Sequence, residues 1–205
     1  MRWLLLLPRR IRVSDPMRLI EREPKGSLRP GQDLVMAGYA GREGSRRIAE
    51  VKKDELQRWF SKEYVELMGQ GSTINIDNSS LPWQEYGATE WEEVNEGGIF
   101  TALWNLSGAY GLGFRVDLHR ILVRQETIEL CERYDLNPYR LYSCCMLAAG
   151  DNGSHLVHRL QSEGIPAAII GVVTPDIKRE ICYNQVQGFL ERPREDELYK
   201  IWRQL

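Results

Sequence analysis

The glycine pair Gly97-Gly98 follows Asn95 and Glu96 and precedes apolar residues at Ile99, Ala102, Leu103, Leu106 and Tyr110. That spacing is helical, with one face toward a core. Glycine at a helix start lets an anion approach the backbone N–H groups, and the helix dipole favours negative charge there. Asn95, Glu96, Gly97 and Gly98 are therefore a candidate anion or nucleotide seat. Asn95 is the expected N-cap, so that Asn95→Ala should cost about 1 kcal/mol, and Glu96 is an acidic first turn. The same spacing describes an ordinary helix entrance. Glu92, Glu93 and Glu96 crowd the seat with negative charge and oppose an anion. Arg42 and Arg46, in the segment GREGSRR over 41–47, are candidate cations to offset them. Their plain alternative, shared with Arg47, is a solvated helix face.

Other reactive side chains are few. The four cysteines, Cys131, Cys144, Cys145 and Cys182, include no CxxC pair, and only three histidines are present. This argues against a zinc site. The vicinal thiols Cys144 and Cys145 could bind a soft metal or sense oxidants, but in an apolar run they read as buried and inert. Reduced thiols fit a cytoplasmic location. With a net charge of −2 and both signs interspersed, neither nucleic acid nor an anionic membrane is an expected partner. The N-terminus MRWLLLLPRR has an apolar run far short of the roughly 20 residues that cross a bilayer. It also lacks the small-residue site of a signal peptide.

The elements that must position these residues follow from periodicity. At 205 residues, 42% apolar and 27% charged, the chain reads as one globular domain. Residues 1–30 read as a loosely packed arm and 31–202 as the domain. Leu34 to Tyr39 is a strand, Ser45 starts a helix, and residues 72–82 are a polar loop. Phe114, Val116 and Leu118 alternate as a strand. Arg124 to Tyr134 is a helix, Met146 to Ala149 a strand, and Ser154 caps a further helix. The run Ala167 to Val173 reads as a strand buried on both faces. Glu180 to Tyr183 and Gly188 to Leu190 form a hairpin about Asn184-Gln185, and Glu195 to Trp202 is a short helix. This alternation predicts an α/β or α+β fold, a mixed sheet covered by helices.

Five separated segments resemble, in order, the C-terminal domain of the AIR synthase superfamily, in particular its hydrogenase-maturation branch. They are GQDLVMAGYAGREGSRRIAE (31–50), the stretch from Glu92 to Trp104, RQETIELCERYDLNPYRLYS (124–143), GIPAAIIGVVT (164–174) and PREDELYKIW (193–202). The branch has the form H-D-V-T-E-G-G-I-F-G-A-L-W at the second. The resemblance implies that complete family members perform ATP-dependent ligase or phosphotransferase chemistry, with Mg-ATP held by an Asp-rich N-terminal domain. No such cluster occurs here, and in family terms the chain begins just before the C-terminal domain. Glu92-Glu93 replace His-Asp, and Asn95 replaces Thr. Cys144-Cys145 stand where the family resembles S-S-G-S, losing a glycine's backbone freedom. The C-terminal reactive cysteine of the branch is absent.

Three readings remain open on this basis. The chain is a stand-alone C-terminal domain, not catalytic by itself and without a cofactor of its own. Alternatively it is half of an enzyme whose Mg-ATP wall comes from another chain. Or it is an interaction subunit that binds a partner or itself through the surface an N-terminal domain would cover. Six tryptophans, among them Trp59, Trp83, Trp91, Trp104 and Trp202, favour an interface in the last reading.

Overall fold

A computed structural model describes residues 23–70 and 81–203. The expected arm up to residue 22 and the expected polar loop from 72 to 80 lie outside the described residues. Among the described residues seven strands form one sheet: β1 (Asp33–Ala37), β2 (Ala88–Val94), β3 (Gly113–Asp117), β4 (Cys145–Gly150), β5 (Ala167–Thr174), β6 (Arg179–Tyr183) and β7 (Val186–Phe189), in the order β2-β4-β1-β5-β3-β6-β7. Neighbours are antiparallel except β3 and β6, which run parallel. The sheet is mixed, as expected.

Seven helices are described: α1 (Arg42–Val51), α2 (Lys53–Leu56), α3 (Lys62–Gly69), α4 (Gly98–Tyr110), α5 (Gln125–Tyr134), α6 (Gly153–Ser162) and α7 (Leu198–Trp202). They cover the sheet on both faces. Side chains alternate along a strand, so Leu34 and Met36 of β1 join Leu147 and Ala149 of β4 beneath Ile99, Leu103 and Leu106 of α4. Val35, Ala37, Met146 and Ala148 meet Leu156 and Leu160 of α6 on the other face. A third cluster joins Ile48 of α1, Val65 and Met68 of α3, Leu130 of α5 and Leu198 and Ile201 of α7.

Four local expectations are corrected. The doubly buried strand is β4, while β5 is only half-buried. α6 is ten residues long, a rod of about 15 Å, and packs on β1 and β5 more than on β4. The cap of α6 is Asn152, whose side chain accepts from His155 N–H at 3.0 Å, and Ser154 lies inside the helix. α1 starts at Arg42, before Ser45, from a left-handed Gly41. Residues 25–28 are docked, although the arm was expected to be loose. Lys25 and Gly26 N–H donate to the carboxylate of Glu90, Ser27 N–H donates to Thr89 O, and Leu28 is buried in the main core. Among the described residues no helix is long and apolar enough to cross a membrane.

Leu103 sits at the contact of α4 with the sheet and is 1% exposed. Leu103→Ala leaves a cavity and should cost about 2–5 kcal/mol, read as a lower urea midpoint with an unchanged slope.

Candidate functional site

β2 ends at Val94, and the chain turns through Asn95 and Glu96 into α4. Both glycines of the turn have positive φ, 76° at Gly97 and 63° at Gly98. A Cβ on Gly98 would lie 2.5 Å from Tyr139 O and 2.8 Å from Leu141 O, so the helix start backs directly onto the stretch 138–143. α1 does the same. A Cβ on Gly41 would meet Pro138 O at 2.9 Å, and one on Gly44 would meet Leu141 Cγ at 2.5 Å. Ser143 ties the two helix starts together. Its hydroxyl accepts from Gly41 N–H at 2.8 Å, and its own N–H donates to Asn95 O at 3.2 Å.

The N–H groups of the glycine pair have partners within the chain. Gly97 N–H donates to Asp196 Oδ2 at 2.6 Å, and Gly98 N–H donates to Asn95 O at 3.1 Å. Asp196 is 2% exposed, and its other oxygen accepts from Leu198 N–H at 2.8 Å. Burial pushes its pKa above the usual carboxylate value, and the backbone donors at Leu198, Gly97 and Tyr142 pull the other way. A carboxylate thus sits where the sequence pointed to an anion, and it belongs to the segment before α7.

Asn95 contributes its backbone carbonyl, not its side chain. The N-cap of α4 is the left-handed Gly97, without a side-chain cap. Glu96 precedes the helix, whose first turn holds no acid. The candidate cations are also committed elsewhere. Arg42 is buried, and its guanidinium donates to the carbonyls of Leu67, Met68 and Gln70 at the C-terminal end of α3. Desolvation lowers its pKa, with repulsion from Arg124 adding to the effect. Arg46 forks onto Glu43 at 2.7 and 2.8 Å and reaches Glu50, and the hydrogen bond to Glu43 raises its pKa most. Neither is a free counter-charge for a ligand.

A cleft of about 500 Å³ opens beside the turn, lined by Glu23, Lys25, Glu92, Glu93, Asn95, Glu96, Gly98 and Asn105, among others. A second hollow of about 460 Å³ shares Lys25, Glu92 and Glu93 and adds Glu90, Trp91 and Gln84. Among the described residues, Lys25 is the one lysine or arginine lining either hollow. Among the described residues, no three His, Cys, Asp or Glu side chains gather as a metal site would require.

The vicinal thiols divide. Cys145 is buried, and burial raises its pKa strongly, whereas Cys144 is exposed, against expectation. Cys144 has φ 143°, in the region that favours glycine, so the lost glycine freedom noted in the sequence is felt at this residue. Of the five tryptophans named above, only Trp59 is exposed, and Arg133 stacks over its ring at 4.0 Å.

No family model matches the sequence, and no curated protein matches it. Solved structures do. E. coli HypE, a hydrogenase maturation protein, is 16% identical with a TM-score of 0.65, over 85% of this chain and 54% of that one. A HypE–HypF complex gives 17% identity and a TM-score of 0.60, over 82% of this chain and 55% of that one. Thiamine-monophosphate kinase from Stenotrophomonas maltophilia gives 17% and 0.58, over 80% of this chain and 52% of that one. The fold is AIR synthase-like. The chain spans about half the length of these solved relatives.

The absence of a side-chain cap on α4 lowers the cost expected for Asn95→Ala. Asn95→Ala should change stability by no more than about 0.5 kcal/mol. Asp196→Ala strands buried donors and should cost about 1–3 kcal/mol. Gly98→Val combines an unfavourable φ with a clash against backbone and should cost at least about 3 kcal/mol. Urea unfolding of the three variants measures this order. The pH dependence has a defined sign. Between 3.8 and its raised folded value, Asp196 keeps a proton in the fold that the unfolded chain has released. Its contribution is complete below 3.8 and falls as pH rises through that window. The stability difference between the parent and Asp196→Asn should fall across the same window.

Proposed function

We propose that this chain is an AIR synthase-like C-terminal domain that is not catalytic by itself and serves as a partner-binding wall. The observation that carries this reading is the bond from Gly97 N–H to Asp196. Of the two glycine N–H groups of the turn, one already holds a buried carboxylate of the chain and the other a backbone carbonyl.

Mg-ATP, which the fold implies for complete enzymes, does not fit the residues present. Its phosphates would face Glu92, Glu93 and Glu96 with Lys25 as the nearby cation, while Arg42 and Arg46 hold protein carbonyls and carboxylates. Phosphoryl transfer depends on positioning and on neutralising the phosphate charge. An acid-lined wall supplies neither. It suits a positively charged surface of another polypeptide, whose approach an acidic cleft would steer. We place the domain in the cytoplasm, in keeping with its unpaired thiols.

A second reading has a specific observation in its favour. The chain spans about half of its solved relatives, and one of those relatives was solved as a HypE–HypF complex. In that reading the Mg-ATP wall would come from a separate chain with its own ligands.

Calorimetry of the purified chain with Mg-ATP and with inorganic phosphate separates the cases. The expected result is no heat of binding and no turnover with the parent, and weak phosphate binding by Asp196→Ala, in which the Gly97 N–H is released. Saturable Mg-ATP binding by the parent, weakened by substituting Glu96 or Lys25, would overturn the proposal.

A further inference from the structure

The sheet ends in two strands of opposite character. β2 carries Glu90, Glu92 and Glu93, and residues 25–27 bond to it. β7, at the other end, carries no charge. The stretch YNQVQGFL from Tyr183 to Leu190 contains no Asp, Glu, Lys, Arg or Pro. All four β7 residues are exposed, Val186 at 69% and Phe189 at 67%. Its pairing with β6 runs without a register shift, so no bulge twists the edge away. Among the described residues β7 is the last strand of the sheet. Natural edges are commonly protected by charge, proline, bulges or a covering segment, and β7 shows none of these among the described residues.

We propose that β7 is a self-association edge, on which β7 of a second copy pairs antiparallel about a two-fold axis normal to the sheet. The charge pattern selects a second copy as the occupant. Two β7 strands brought together oppose no like charges, whereas pairing through β2 would set glutamates against glutamates. A two-fold axis normal to the sheet keeps each face with its counterpart. Tyr183 and Val186 are opposite one another in the hairpin and share one face, where His119 stacks on Tyr183 at 4.5 Å. Phe189, opposite Glu180, lies on the other face, and the strand edge borders a groove of about 320 Å³ lined by Phe100, Tyr139, Ile181 and Leu190. A four-residue ladder falls short of the roughly 800 Å² per partner of a standard interface. The flanking apolar side chains add area, and the product is a dissociable dimer. Among the described residues each chain has one such edge, so the assembly closes at two copies.

Sedimentation equilibrium of the purified chain over a wide concentration range tests this. A monomer–dimer equilibrium is expected, with slowed amide exchange at residues 186–189 as concentration rises. Val186→Lys combined with Phe189→Lys should weaken dimerisation about tenfold or more. Both side chains are exposed, so the thermal midpoint at low concentration should not fall. Trp59→Lys, an exposed aromatic elsewhere, should leave the equilibrium unchanged. A parent that stays monomeric throughout would overturn the proposal, as would a dimer that survives the double lysine variant or is lost in Trp59→Lys. The nucleotide calorimetry bears on the acidic cleft and leaves this result independent.

Discussion

A helix that begins inside a protein presents backbone N–H groups that water does not reach, together with the positive end of its dipole. Something must satisfy both. At α4 the requirement falls on Gly97, and the carboxylate of Asp196 meets it. Much of the nearby architecture is arranged around that bond. It draws the C-terminal segment across the domain, so that Leu198 and Ile201 close the helical cluster of α1, α3 and α5. It also fixes the turn after β2 against the stretch 138–143, on which α1 rests as well. A turn with the outline of a phosphate seat is thereby held as a structural joint.

The electrostatics point the same way. The arginines that the sequence offered as counter-charges are consumed in the structure: Arg42 closes the carbonyl end of α3, and Arg46 is clamped by Glu43 and Glu50. Among the described residues, the charged groups that remain along the cleft are mostly acidic. The two ends of the sheet differ in kind, β2 acidic and met by residues 25–27, β7 neutral and exposed. On the proposed reading, the acidic surface receives a cationic partner and the neutral edge a second copy.

Much of the fold was legible in the sequence, because period-two and helical patterns alternate along most of the described chain. The hairpin about Asn184-Gln185 and the glycine-bounded α4 were readable from turn residues alone. Strand order was not, since nothing local says that β1 sits between β4 and β5. Nor was the burial of β5: its apolar run matches that of a fully covered strand, yet much of it is only half-buried. At the site, sequence spacing found the glycine turn but assigned the wrong group to it. Asn95 has the right chemistry for a cap, yet the left-handed Gly97 takes the N-cap position. Asp196 lies 99 positions along the chain from the N–H it holds, and no local pattern marks it. The loss of glycine at Cys144 was the one local departure whose consequence, a positive φ on a side-chain-bearing residue, could be anticipated.

The central claim is that the Gly97 amide is bound by the chain's own carboxylate. An NMR titration of that amide from acidic to neutral pH tests it most directly. The account predicts that the Gly97 amide shift follows the ionisation of Asp196, with a midpoint above 3.8, and that the pH dependence vanishes in Asp196→Asn. A Gly97 amide that ignores pH and instead moves on addition of phosphate would contradict it.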